Sequence, residues 1–253
     1  MKYAVIMYNF NNYEIMRDVA DCALDPDIEY LYITDNPNLK AKNWKIILDH
    51  DLDGLSPFDK CYRVRFNLFK YTKAEMVLYV DGSLQIQKNP KRYFEKFAAS
   101  EKDVGIMVHP ARTNMFDEYF AWIISRNYPK TSAFKCLSYM EEHGYDIRNY
   151  KGLYQLTMRI VKNTKENQKL DNRTFEVLCE LSEDGKIERI DQTIYSYLLN
   201  TEFSNLSLYV FNDNSIHNDI IVWNPHGKIG PCKNNNRKRN GYIRNILSKV
   251  DII

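Results

Sequence analysis

No Cys-x-x-Cys pair occurs in this sequence, and its five cysteines (Cys22, Cys61, Cys136, Cys179, Cys232) are odd in number and widely scattered. That excludes a disulfide frame and a cysteine zinc site, and points to reduced thiols in a cytosolic protein. Charge bias is missing too: 35 basic residues against 33 acidic leave +2, so bulk charge points to no nucleic-acid partner. Nothing approaches the roughly 18 consecutive apolar residues of a membrane span. The opening MKYAVIMYNFNNYE turns polar too soon for a signal peptide. Internal repeats and long Gly/Ser linkers are absent, so a single compact domain is expected of these 253 residues. Hydrophobic content of 44% suffices for a sizeable core. Tyrosine is abundant at 19; base composition of the genome is the simpler account, although tyrosine also suits sugar-handling surfaces.

Short, almost wholly apolar runs alternate with helical patterns. KYAVIMYN, IEYLYITDNP and WKIILDHD read as strands. Between the first two, NNYEIMRDVADCAL places Ile15, Val19 and Cys22 at helical spacing, with Asn11 or Asn12 as N-cap. KCYRVRFNLFKYT predicts a basic helix with Tyr62, Phe66 and Phe69 on one face, running into the strand MVLYVDGSLQI. Later come a helix at PKRYFEKFAAS, a strand at DVGIMVHPAR, and helices on both sides of Pro129. A strand at GLYQLTMRIVKNT, helices at NRTFEVLCELSEDG and ERIDQTIYSYLLN, and strands at LSLYVFN and DIIVWNPHG complete the pattern. Apolar strands alternating with helices predict an α/β fold, a mainly parallel sheet covered on both faces.

In such sheets ligands bind beyond the carboxyl ends of the strands. Four predicted strand ends are polar there: Asn9 and Asn11, Asp35 and Asn36, Asp81 with Ser83, and His109. Asp81-Gly82-Ser83 lies at the centre. Two oxygen-bearing side chains flanking one small residue can share a face and hold Mg²⁺ or Mn²⁺, leaving positions for phosphate oxygens. The glycine admits a close ligand. The same three residues also read as a simple Asp-Gly turn between two short strands.

Several pieces in order resemble the GT-A-fold glycosyltransferases. More narrowly they are similar to a glycosyltransferase-like family of bacterial polysaccharide loci and plant Golgi proteins, once catalogued as a domain of unknown function. The pieces are YITDNP with Trp44, the basic helix before LYVDGSLQI, VHPAR with Glu118 beyond, GLYQLTMRIVKNT, Phe175-Glu176, and ERIDQTIYSYLL. They span most of residues 1–200. The resemblance implies a GT-A-like (Rossmann-like) domain over 1–231, with a nucleotide-sugar half (1–90), an acceptor half (91–231), and a separate tail at 232–253. It implies that Asp35 faces the base or ribose of a UDP-type donor, with Asn9 nearby, and that Arg63 and Lys60 neutralise its diphosphate. Asp81 then binds the metal or the donor sugar itself. Ser83 stands where the usual Asp-x-Asp has its second acid, and departs from that pattern. His226 resembles a late metal-binding histidine, with Lys228 near the phosphate. Arg189, Asp191 and Gln192 point into the sugar site, where Asp191 contacts sugar hydroxyls or acts as general base; a helix N-cap is its alternative role. His109 either binds substrate hydroxyls or is structural. Retention is favoured, since no lone carboxylate stands out as an inverting base.

The tail KNNNRKRNGYIRNILSK carries six basic residues and no acid. A basic amphipathic segment suits an anionic membrane surface, useful for a lipid-linked acceptor; a solvated or RNA-adhesive tail is the other reading. A cytoplasmic, peripheral glycosyltransferase with a nucleotide-sugar donor and a glycan or lipid-linked acceptor is therefore expected. A sugar-phosphate nucleotidyltransferase would need a glycine-rich phosphate loop, and MYNFNNYE has neither glycine nor lysine. A degenerate relative that binds a glycan without turnover is the non-enzymatic alternative.

Overall fold

The computed structural model describes residues 2–124, 130–146, 152–182, 190–211 and 219–224. Strands β1 (Tyr3–Asn9), β2 (Ile28–Thr34), β3 (Lys45–Leu48), β4 (Met76–Val80), β6 (Val104–Val108), β7 (Tyr154–Lys162) and β8 (Leu208–Phe211) form one seven-stranded sheet, ordered β3-β2-β1-β4-β7-β6-β8. A two-stranded sheet pairs β5 (Leu84–Ile86) with β9 (Ile221–Trp223) in antiparallel fashion. Among the described strands of the large sheet, β7 alone runs against both neighbours; every other pairing is parallel. The expected α/β architecture with a mainly parallel sheet is present.

Both faces of this sheet are covered, which explains the unbroken apolar runs: all seven residues of β1 are buried. Alternate residues serve opposite cores. Tyr3, Val5 and Met7 join Trp44, Phe94 and Phe97 on one face. Ala4, Ile6 and Tyr8 join Leu31, Val64, Leu68 and Tyr79 on the other. Helix α2 (Lys91–Ala99) covers the first face through Tyr93, Phe94 and Phe97. Helix α1 (Pro57–Arg65) lies on the second. It starts where Ser56 Oγ accepts from Asp59 N–H at 3.2 Å, with proline in its first turn. A third core gathers β6 and β7 with α4 (Lys130–Glu142), α5 (Lys165–Glu180) and α6 (Asp191–Asn200), while α3 (Met115–Ile124) contributes Met115.

Three sequence expectations need correction. Residues 11–20 are not helical. Asn11 and Asn12 have φ of 55° and 48°, a left-handed turn that cannot open an α-helix. The Asn9 side chain then brackets Glu14, its Nδ2 donating to Glu14 O at 2.7 Å and its Oδ1 accepting from Glu14 N at 3.0 Å. Asp18 likewise accepts from the backbone of Val19, Lys42 and Asn43, so side chains here replace helical hydrogen bonds. Second, α1 ends at Arg65, and Leu68–Lys70 forms a separate 3₁₀ turn. Third, of the two readings of residues 77–86 the single continuous strand falls and the turn between two short strands holds: β4 and β5 belong to different sheets and turn at 81–83, where Leu84 N donates to Asp81 O at 2.9 Å.

From β1 the chain steps outward to β2 and β3, then returns to place β4 on the other side of β1. That reversal is a topological switch point, where the strand ends part and leave a crevice.

Candidate functional site

A cleft of about 650 Å³ opens at the carboxyl ends of β1 and β4. Its walls come from the end of β1 and the following loop, the start and inner face of α1, the 81–83 turn, the first half of β7, and the start of α6. Tyr13 and Phe58 line it while remaining 55% and 43% exposed.

Asp81 reaches the cleft because its backbone is fixed on both sides: its N–H donates to Thr157 O of β7 at 2.9 Å, and its carbonyl closes the turn onto Leu84. Gly82 permits a close crossing. A Cβ there would stand 3.2 Å from Glu14 Cγ and 3.4 Å from Tyr8 O, tighter than ordinary contact. The turn reading is therefore the one observed: the carboxylate sits on a tight bend, and that bend forms a wall of the cleft.

The arginine lining this cleft is Arg65. Its Nη2 donates to Asp81 Oδ1 at 2.9 Å and to Tyr79 Oη at 3.0 Å, while its Nη1 donates to Asp191 Oδ2. Tyr79 also donates to Asp81 Oδ1, and Tyr62 Oη donates to Asp191 Oδ1 at 3.2 Å. The guanidinium lies over the rings of Tyr79, Tyr8 and Tyr62 at 5.3, 5.8 and 5.9 Å. Burial opposes its charge, but the surrounding Tyr79, Tyr8, Asp191 and Asp81 hold its pKa well above the ordinary value. Burial raises the tyrosines as well, so Tyr62 and Tyr79 stay protonated and act as donors. Cys61 lines the cleft as a thiol, pushed up to about 12 by burial, and is no nucleophile.

Behind Arg65 a fully buried residue fixes the end of α1. Arg159 of β7 donates through Nη2 to the Arg65 carbonyl, one of the carbonyls a helix leaves unpaired at its carboxyl end. It also grips the Asp171 carboxylate of α5 at 2.5 and 3.0 Å and donates to Tyr195 Oη of α6 at 3.1 Å.

Of the residues expected from sequence, Asn9, Asp81, Ser83, His109, Asp191 and Gln192 all line this cleft. Asp191 is not an N-cap; it is the first residue of α6, and its carboxylate crosses to Arg65 and Tyr62. Gln192 Oε1 accepts from Leu156 N at 3.3 Å, docking α6 on β7. His109 braces its own turn: Nδ1 accepts from Ala111 and Arg112 N–H at 3.2 and 3.1 Å, and Nε2 lies 3.0 Å from Arg112 Nη2. Burial and the neighbouring Arg112 lower its pKa to about 3, so it is neutral. Arg112 in turn pairs with the buried Glu118, another residue of the lining.

Other expectations are displaced. Asp35 and Lys60 bind each other at 2.8 Å, and Asp35 accepts from Asn11 N at 2.9 Å. The pair ties the β1 loop to α1 beside the cleft without lining it. Arg63 points elsewhere, its guanidinium 5.2 Å from the Phe175 ring, and does not line the cleft. Residues 62 and 65 share a helix face, whereas 63 lies about a third of a turn round. Arg65 was therefore legible from its spacing to Tyr62. Glu14 and Tyr79 carried no such signal. Arg189, His226, Lys228 and the 232–253 tail lie outside the described residues.

Among the described residues the lining holds four carboxylates (Glu14, Asp81, Glu118, Asp191) against one guanidinium, Arg65. Glu118 is matched by Arg112, and Asp81 and Asp191 share Arg65. Carboxylates are hard oxygen donors of the kind that Mg²⁺ or Mn²⁺ takes, one or two at a time, completing its shell with water and substrate phosphate. Among the described residues no group of three or more His, Cys, Asp or Glu is placed to enclose an ion, so Asp81 would act with such outside ligands. No helix among them is long and apolar enough to cross a membrane. Compared with known proteins, the chain matches no protein-family model and no curated protein.

Proposed function

We propose that this protein is a glycosyltransferase of the GT-A type. It moves a hexose-type sugar from a nucleotide donor, UDP first among those to test, to a glycan or lipid-linked acceptor in surface polysaccharide synthesis. The observation carrying this reading is the meeting of Asp81, from the end of β4, with Asp191, from the start of α6, across one guanidinium in a switch-point cleft. Two carboxylates beside exposed Tyr13 and Phe58 suit a ligand with hydroxyls at one end and a planar base at the other.

Transfer breaks the bond between the anomeric carbon and the diphosphate oxygen, whose electrons leave with the diphosphate. A bond forms from the acceptor oxygen to that carbon, and the acceptor proton passes to a carboxylate or to the departing phosphate. Asp81, with Ser83 alongside, would hold a divalent ion bound with the nucleotide, and that ion would supply charge compensation to the leaving group. Asp191, oriented by Arg65 and Tyr62, receives sugar hydroxyls or takes the acceptor proton. Asn9 holds the β1 loop that forms the wall, and Asp35 and Lys60 brace it. The basic tail rests on an anionic membrane at the cytoplasmic face, near a lipid-linked acceptor.

One observation favours a second reading, glycan binding without turnover: Asp81 Oδ1 is already engaged by Tyr79 and Arg65. Calorimetry with UDP and Mn²⁺, followed by assay of UDP-sugar hydrolysis, separates the two. A transferase binds UDP with metal and slowly hydrolyses a donor sugar. Binding of glycan without any nucleotide would support the second reading and overturn the first.

A further inference from the structure

We propose that Arg65 is the resident counter-cation of the Asp81–Asp191 pair, keeping the cleft closed to free divalent cations until a phosphate-bearing ligand enters with one. The inference rests on the nucleotide-sugar reading for the identity of that ligand. Its basis is the placement of one guanidinium between both acids: Nη2 on Asp81 Oδ1 at 2.9 Å and Nη1 on Asp191 Oδ2. Tyr79 fills a further position on Asp81 Oδ1, and Tyr62 binds the other oxygen of Asp191 at 3.2 Å. The Arg65 side chain is only 13% exposed and lies against aromatic rings, while the buried Arg159 holds its backbone carbonyl. A divalent ion approaching Asp81 alone meets an oxygen already in use and the repulsion of a neighbouring fixed positive charge. A diphosphate reverses both terms. It brings negative charge that offsets the ion, and it competes with the carboxylates for the guanidinium N–H groups. Nucleotide and ion should therefore enter together, each raising affinity for the other by the same factor.

The test is Mn²⁺ binding to the full chain without nucleotide, read by calorimetry and by electron paramagnetic resonance of the free ion. Wild type should bind Mn²⁺ weakly, and Arg65→Met should bind it tighter by about tenfold or more, a typical coupling between two ligands of one site. In Arg65→Met, Mn²⁺ should also raise the melting temperature more than in wild type, because binding to the folded state stabilises it. Equal or weaker Mn²⁺ binding by Arg65→Met overturns the proposal. Should Arg65→Met fail to fold even with Mn²⁺, Arg65→Lys decides. A single ammonium cannot reach both acids as a fork does, so tighter Mn²⁺ binding supports the proposal and unchanged binding overturns it. A wild-type protein that binds Mn²⁺ tightly alone also overturns it. Failure of UDP to bind at any Mn²⁺ concentration would instead remove the glycosyltransferase reading, and the comparison of wild type with the Arg65 variants would still decide the counter-cation proposal.

Discussion

Asp81 and Asp191 share one guanidinium, that of Arg65, although one follows β4 and the other opens α6. Each acid is therefore part of a three-residue unit, and its substitution acts on the other two. Asp81→Asn should abolish transfer and leave the fold intact, since that side chain is 30% exposed. Asp191→Asn, at 9% exposed, should abolish transfer and also cost about 1.5–3 kcal/mol, the worth of a hydrogen bond to a charged group. Assay of donor hydrolysis with urea unfolding checks both; full turnover in Asp81→Asn would remove that residue from the site.

Arg63→Ala should leave donor binding unchanged and cost about 0.5–1 kcal/mol or less, the worth of an exposed cation–π contact with Phe175. Arg65→Ala should lower donor binding sharply. Calorimetry with UDP distinguishes them, and an equal loss in both would contradict this division of labour.

That contrast marks the limit of what the sequence made legible. Strands such as residues 3–9 were plain because a run buried on both faces must be apolar throughout. Asp81 was legible as a rim acid because a carboxylate at the end of such a run needs a partner or solvent. Residues 11–20 misled because Ile15 and Val19 fall at helical spacing while Asn9 and Asp18 take over the backbone bonds; Ile15 ends 48% exposed. Asp35 and Lys60 satisfy one another, a pairing 25 residues apart that no local pattern announces.

Arg159 and Asp171 form a buried pair, 0% and 6% exposed. Removing one partner, as in Arg159→Met, should destabilise by about 3–5 kcal/mol, because a buried charge is left alone. The double replacement Arg159→Met/Asp171→Leu should recover most of that loss, since well-packed apolar groups often match a buried ion pair. Transfer should stay impaired in the double variant, because the Arg65 carbonyl has lost its anchor. Urea melts and donor turnover on the same samples test this; recovery of both would make the pair purely structural.

His109 gives the fold a pH dependence of its own. Its folded pKa is lowered to about 3 from the ordinary 6.5 by burial and Arg112. As pH falls below 6.5 the unfolded chain takes up a proton that the folded chain refuses until about 3. Stability is thus complete above 6.5 and declines through that window, by at most about 1.4 kcal/mol per pH unit. Melting temperatures from about pH 7 to about pH 4 should fall more steeply for wild type than for His109→Asn, which keeps an acceptor but does not titrate there. Parallel curves would show that the imidazole is not buried as described.

The bend carrying Asp81 is moored to β7 and to its own Leu84, whereas Tyr13 sits on the loop after β1 and Phe58 in the first turn of α1. The cleft acid and the aromatic wall are thereby set by separate segments of the chain. On the proposed glycosyltransferase reading, substitutions in the aromatic wall change which planar base the cleft accepts without disturbing the carboxylate.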